Sequence, residues 1–357
     1  MLKKHQNIQV SQKQLCVQSI ESRNLLIGTL NCRGLARKEK VQQLCQDLEH
    51  FKLDILAVQE TKIKGKEKIS QVQARNGVWT ENTWNTLLGS ENTNGYNFCC
   101  GKCENSFHGV GFIVRNNLDF NFKSYSNRLA LLTIYITYND RKHPLNIINA
   151  YAPTSNSPIN EIEEFYTSLE YIINKVNRKE LLICGDFNTE IGFYNHSNPD
   201  EIGCHSNGKK SRNSLFLVDI LINNELYACN TFFKHKLENI HTWTSSFIHP
   251  RRRNPYRCQL DYIIATKNIR SLNFEAKSKS RLSIDTDHKL VISKFKINKN
   301  SRRRIYPTIQ NKRQDINVNH LKENKIIYNS QVEKRLQNIS TEDEPQIYWN
   351  NLCEMYV

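Results

Sequence analysis

The chain has 357 residues, 38% of them hydrophobic, with 15 Phe, 15 Tyr and 4 Trp, enough to fill a sizeable core and to argue against wholesale disorder. Mean hydropathy is −0.62, no run of about 18 apolar residues occurs, and the opening stretch MLKKHQNIQVSQKQLC holds no apolar leader, so neither a membrane span nor secretion is expected. Lys and Arg number 50 against 35 acidic residues; residues 1–23 and 298–357 carry +3 each, leaving +9 of the +15 on residues 24–297, a balance that favours a polyanionic partner such as nucleic acid.

In chain order, Leu25–Leu30 reads as a buried strand, and Val41, Leu44, Cys45 and Leu48 then share one helical face. A second strand covers Asp54–Val58. The segment from Gln73 to Cys103, rich in Asn and Thr, reads as a long surface excursion. Strands follow at Val110–Val114, Leu129–Ile136 and Leu145–Ile148. Ile162, Phe165, Leu169, Ile172 and Val176 make an amphipathic helix after Pro158. Leu181–Cys184 is another buried strand, a helix is expected over about 211–224, and strands near 260–265 and 290–297 close the body. Several strands are adjacent in sequence without an intervening helix, which suggests two packed sheets flanked by helices rather than one doubly wound sheet. The organisation expected is an N-terminal tail (1–23), a folded domain (24–297) and a basic, weakly helical arm (298–357) that includes Arg302-Arg303-Arg304.

The 11 cysteines are odd in number and scattered, and read as reduced intracellular thiols. Cys99, Cys100 and Cys103 cluster near His108 but lack a second ligand pair, so no zinc is expected.

The apolar strands run repeatedly into polar residues. Leu25–Leu30 ends at Asn31, Ile55–Val58 at Gln59 and Glu60, Leu145–Ile148 at Asn149 and Tyr151, and Leu181–Cys184 at Gly185, Asp186 and Asn188. Leu260 leads into Asp261, and Asp287-His288 precedes Leu290-Val291-Ile292. Singly, Glu60 reads as a turn cap, Asp186 as the start of a turn and Asn31 as a loop tether. Six such strand ends in one chain are a different matter. Acids converging at one sheet edge are costly to bury and repel one another, and a hard divalent cation, Mg²⁺ or Mn²⁺, removes both objections. Asp261 is placed to pair with His288 and fix its tautomer. No Gly-x-Ser-x-Gly elbow and no complete Gly-x-x-x-x-Gly-Lys-Ser/Thr loop is present, which disfavours a serine hydrolase and a P-loop ATPase.

The ordered runs Thr29-Leu30-Asn31-Cys32-Arg33-Gly34-Leu35, Val58-Gln59-Glu60-Thr61-Lys62, Tyr151-Ala152-Pro153, Gly185-Asp186-Phe187-Asn188, Leu260-Asp261-Tyr262 and Thr286-Asp287-His288 resemble the endonuclease/exonuclease/phosphatase superfamily. GDFNTEIG at 185–192, the stretch from Asn213 through Asn230-Thr231-Phe232, and Thr242-Trp243-Thr244 look most like the apurinic-type endonuclease domain of non-LTR retrotransposons, including sequences labelled craniofacial development protein 2-like. The resemblance implies a DNase I-like four-layer α/β sandwich with its site at one edge of two facing mixed sheets. It implies Glu60 as principal metal ligand with Asn31 beside it, Asp287 assisting metal or phosphate placement, and Mg²⁺ (or Mn²⁺) as cofactor. Asp186 would activate the attacking water, Asn188 position it, Tyr151 hold a phosphate oxygen, and Asp261 orient His288. The expected activity is hydrolysis of DNA phosphodiester bonds to leave a 3′-hydroxyl, in an intracellular, nuclear protein. Alternatives are an abasic-site repair nuclease or small phosphoesterase of the same superfamily, and a non-catalytic domesticated DNA-binding protein. The basic run Arg251-Arg252-Arg253 lies outside these motifs and is a candidate duplex clamp or a solvated loop.

Overall fold

Period-2 alternation splits the buried strands of this protein between cores on their two faces. A computed structural model describes residues 24–64, 68–73, 95–101, 103, 107–138, 141–192, 199–206, 208, 211–247 and 253–296. The first half runs β1 (Asn24–Asn31), α1 (Lys38–Phe51), β2 (Ile55–Gln59), β3 (Lys68–Gln73), β4 (Gly95–Cys100), β5 (Val110–Arg115), β6 (Phe120–Ser124), β7 (Leu129–Tyr138) and β8 (Arg141–Tyr151). The second half runs α2 (Ile159–Lys175), β9 (Leu181–Asp186), α3 (Arg212–Asn223), β10 (Leu226–Ala228), β11 (Trp243–Thr244), β12 (Arg257–Cys258), β13 (Asp261–Thr266), α4 (Lys267–Arg270), β14 (Asn273–Lys279) and β15 (Leu290–Lys296).

Two mixed sheets result, in the orders β14-β15-β1-β2-β5-β4-β3 and β10-β13-β9-β8-β7-β6. The parallel pairs β1/β2 and β8/β9 are joined through α1 and α2, as parallel strands require a crossover. Leu25, Ile27, Ile55, Ala57, Leu145, Ile147, Leu182, Cys184, Ile263 and Ala265 face the layer between the sheets. Their neighbours Leu56 and Val58 turn toward α1, and Leu181, Ile183 and Ile264 toward α2 and α3. The architecture is helix, sheet, sheet, helix, as expected.

The helices form for local reasons. Val41, Leu44, Cys45 and Leu48 of α1 lie one turn apart and are all buried; α1 stops at Lys52, whose left-handed backbone returns its N–H to Glu49 and Leu48. α2 buries Ile162, Phe165, Tyr166, Leu169, Ile172 and Ile173. α3 begins with a reciprocal Ser211–Ser214 cap.

One expectation needs correction. Part of the 73–103 segment is not surface: β4 pairs with β3 and β5, and all six of its residues are buried. Tyr96 and Phe98 are hidden in the sequence by the Asn- and Thr-rich run before them, and residues 74–94 of that run lie outside the described residues. Cys99 packs between the sheets and Cys100 on the opposite face beneath α1, so these two thiols cannot converge on one ion. The terminal segments 1–23 and 297–357 and residues Arg251 and Arg252 also lie outside the described residues. Among the described residues no helix is long and apolar enough to cross a membrane.

Candidate active site

The inward-facing rows continue past the apolar core into polar residues at one end. Along β1 the inward row is Leu25, Ile27, Thr29, Asn31; along β8 it is Leu145, Ile147, Asn149, Tyr151; along β9 it is Leu182, Cys184, Asp186. Alternation therefore keeps each polar tip in the layer already occupied by its apolar predecessors. β13 runs antiparallel to β9 with Asp261 opposite Asp186, and β15 runs antiparallel to β1. Those two registers bring Asp261 and the Asp287-His288 segment to the same end.

Behind the tips, a buried amide pin joins the sheets. Gln59 Nε2 donates to Asn149 Oδ1 (2.7 Å) and Thr29 Oγ1 (3.0 Å), and Asn149 Nδ2 donates to the carbonyls of Val58 (2.9 Å) and Gly111 (2.6 Å). The pin sits one residue before Glu60 and two before Tyr151. A Cβ on Gly185 would collide with the Ala150 carbonyl, so glycine is what lets β9 approach β8 beside Asp186.

The tips form one connected set. Asn31 Nδ2 donates to Glu60 Oε1 (3.0 Å) and to Asp186 Oδ2 (2.9 Å). The Tyr151 hydroxyl donates to Glu60 Oε1 (2.9 Å). His288 Nδ1 lies 3.0 Å from Asp261 Oδ2, and its Nε2 lies 3.8 Å from Asp186 Oδ2 and 4.0 Å from Asp287 Oδ1. The Asn188 backbone N–H caps Asp186 Oδ1 (2.9 Å), and its side-chain amide donates to the Ala152 carbonyl (2.8 Å). Thr286 Oγ1 donates to the Asn31 carbonyl (2.7 Å) and ties the His288 segment to β1. Four non-glycine residues, Arg33, Glu60, Lys62 and Asn188, hold left-handed backbone with φ from 47° to 56°; such strain persists where surrounding structure imposes it, and it clusters at functional sites.

The environment sorts the ionisable groups. Burial raises the Glu60 carboxyl, but hydrogen bonds from Asn31, Lys62 and Tyr151 outweigh it and hold Glu60 below the ordinary carboxylate value. Burial, with the charges of Glu60 and Asp186, pushes the Tyr151 phenol far up, so it remains a proton donor. Burial and the neighbouring Asp261 push Asp186 up. Burial disfavours the His288 imidazolium, yet the attraction of Asp261 and then Asp186 outweighs it, and His288 is raised. A carboxylate shifted toward neutrality beside a charge-stabilised imidazole is the arrangement of an acid–base pair.

All eight site residues expected from the strand ends thus come together. Asn31 joins the set through its side-chain amide. Its Oδ1 accepts the Arg33 backbone N–H (3.1 Å), so its amide nitrogen faces the carboxylates and links them. Of the basic run, Arg253 is exposed.

The sequence reading missed five contributors. Lys62 pairs with Glu60 Oε2 (2.9 Å), and Arg33 pairs with Asp287 Oδ2 (3.1 Å). Trp243 Nε1 donates to the same Asp287 oxygen (3.1 Å). Arg128 is pinned by Glu161 (2.6 Å), lies 5.2 Å from the centre of the Tyr151 ring and donates to the Tyr151 carbonyl. His108, noted above only for its place near the cysteine cluster, has its ring 5.9 Å from that of Tyr151. Arg33, Lys62 and Trp243 stand inside the conspicuous motifs but were given no role there; Arg128 carries no local signal, because register alone brings it in.

Residues 28–288 match the model of the Endonuclease/Exonuclease/phosphatase family. Craniofacial development protein 2 of Bos taurus is 28% identical over 276 residues, 76% of this chain and 41% of that protein, so the chain spans about two fifths of its curated relative. The fold is shared with the AP endonuclease LMAP from Leishmania major (TM-score 0.55, 15% identity, 77% of this chain and 88% of that one). It is also shared with the catalytic domain of Xenopus laevis APE2 (TM-score 0.53, 16% identity, 77% and 94%). With the match running from β1 through His288, the chain belongs to the endonuclease/exonuclease/phosphatase family.

Proposed function

We propose that the protein is a metal-dependent endonuclease that hydrolyses DNA phosphodiester bonds and leaves a 3′-hydroxyl, of the kind found in non-LTR retrotransposons. The observation that carries this reading is the continuous set Glu60–Asn31–Asp186–His288–Asp261, five side chains from five separate segments linked end to end. The +9 on residues 24–297 supports a polyanionic substrate over a small ester.

The donor set suits a hard divalent ion. Asp287 Oδ1 is buried and has no hydrogen-bond partner among the described residues, and such an oxygen is costly unless something occupies it. Glu60 and Asp287 would hold Mg²⁺ or Mn²⁺. When bound there, the ion would polarise a phosphoryl oxygen and offset the charge that builds on it. The side chains do the rest. Asp186 takes the proton of the attacking water, and Asn188 orients that water. A new P–O bond forms in line as the bond to the 3′-oxygen breaks, and the departing oxygen takes a proton from solvent. His288, held by Asp261, and Tyr151 donate to the non-bridging oxygens.

A supercoiled plasmid should be nicked in Mg²⁺, lose that nicking in EDTA, and regain it when Mg²⁺ is restored. A DNA polymerase should extend the nicks directly, reporting a 3′-hydroxyl; nicks that resist extension, or equal rates in EDTA, refute the reading. Abasic duplex and inositol phosphate run beside the plasmid separate the substrate classes.

The clamp role of Arg251, Arg252 and Arg253 is tested by salt. Replacing all three with Gln should flatten the slope of log affinity against log salt by about two to three units. An unchanged slope returns the run to a solvated loop.

A further inference from the structure

Arg33 and Lys62 occupy matching places. Each follows a site residue by two positions, Asn31 on β1 and Glu60 after β2, and β1 and β2 are parallel neighbours. The two loops that carry them are zipped together by bonds from the Cys32, Gly34 and Leu35 N–H groups to the carbonyls of Gln59, Glu60 and Thr61. Lys40 Nζ further pins the Cys32 carbonyl (2.7 Å) to the Asp285 carbonyl (3.0 Å). The backbones are thus held, while the two cationic side chains remain 52% and 36% exposed. Arg128 makes the contrast: 13% exposed and tied to Glu161 and a carbonyl, it has no freedom to swing.

Each exposed cation rests on a carboxylate that the proposed nuclease would need for its ion. Lys62 takes Glu60 Oε2, and Arg33 takes Asp287 Oδ2. A divalent ion drawn to either carboxylate would meet a like charge already in contact with it. We infer that Arg33 and Lys62 are exchangeable cations, which neutralise Asp287 and Glu60 in the ion-free protein and turn to DNA phosphates flanking the scissile bond once ion and duplex bind. This inference rests on the nuclease reading above. Exchange keeps the acidic cluster neutralised before binding and delivers two phosphate contacts to the rim afterwards.

The test separates two affinities that a merely structural role would move together. Calorimetric titration with Mn²⁺, without DNA, is applied to the wild type, Arg33→Met and Lys62→Met. Each variant should bind Mn²⁺ about three-fold more tightly, the scale of losing one partly exposed ion-pair competitor. Fluorescence anisotropy with a short duplex in Ca²⁺ should move the other way: weaker binding, and a salt slope reduced by about one unit per cation removed. Arg33→Lys should keep wild-type behaviour in both. Thermal melting confirms that the variants are folded, as expected for side chains this exposed. Mn²⁺ affinity that is unchanged or weaker in both methionine variants, or an unchanged salt slope, overturns the exchange. If the wild type nicks plasmid DNA while those results fail, the exchange alone falls; if the wild type neither nicks nor binds Mn²⁺, the nuclease reading falls with it.

Discussion

Asp186→Asn should lower plasmid-nicking turnover by at least ~10²-fold while leaving the thermal midpoint within about 4 °C of wild type. The substitution is nearly isosteric, so the core between Phe187 and Cys184 is undisturbed. It removes the group proposed to accept the water proton, and an amide has no comparable basicity. On the stability side two effects oppose each other. Burial and Asp261 already disfavour a charge at position 186, so losing that charge relieves repulsion. Against this, Asp186 accepts from both Asn31 and the Asn188 backbone, and an asparagine can accept at one of those places only. One lost hydrogen bond is worth about 1 kcal/mol, comparable to the relief. Catalytic groups held against their own electrostatic preference characteristically trade stability for function. A variant that retains nicking within ten-fold of wild type would remove Asp186 from the chemistry; a variant that fails to melt cooperatively would instead give it a structural part.

Much of this architecture was legible because alternation and burial act locally. A strand such as Leu181–Cys184, apolar on both faces, has to lie between two layers, and Asp186 falls on the inward row two residues after Cys184. Asn31, Tyr151 and Asp261 stood out as polar residues at the ends of apolar strands, and their expected roles came from the resemblance of the motifs that contain them. What escaped depended on pairing between distant segments. β4 escaped because the Asn- and Thr-rich run ahead of it suggested solvent, whereas β3 and β5 enclose it on both sides. Trp243 reaches Asp287 because Trp243 bridges to His288 across the sheet edge, and a two-residue strand has no periodicity to read. The orientation of the Asn31 amide was also out of reach, since it depends on which atom the Arg33 backbone claims. Residue type announces that a polar atom needs a partner, and only register tells which partner it finds.

Asn149 shows the same dependence with a larger energetic stake. Its side chain is completely buried between the sheets and supplies the Nδ2 donor that reaches Val58 and Gly111 and the Oδ1 acceptor that takes Gln59. Asn149→Ala should therefore leave an amide donor and two carbonyls short of a partner in a space sealed from solvent. Each such group costs about 1–3 kcal/mol, and the two carbonyls keep a second lone pair for the ladder, so a total near 3 kcal/mol is expected. For a domain of this size that corresponds to a fall of roughly 6–12 °C in the thermal midpoint. The pin also sets how Glu60 and Tyr151 meet, because the Tyr151–Glu60 hydrogen bond crosses between the sheets immediately ahead of it. Measured well below the new midpoint, nicking by Asn149→Ala should fall further than the unfolded fraction accounts for, and Gln59→Ala should reproduce much of both losses. In a double-mutant cycle the two substitutions should be strongly non-additive, since either one removes the same bond. Additive losses would mean that the two amides act independently and that the sheets are held in register by the apolar core alone.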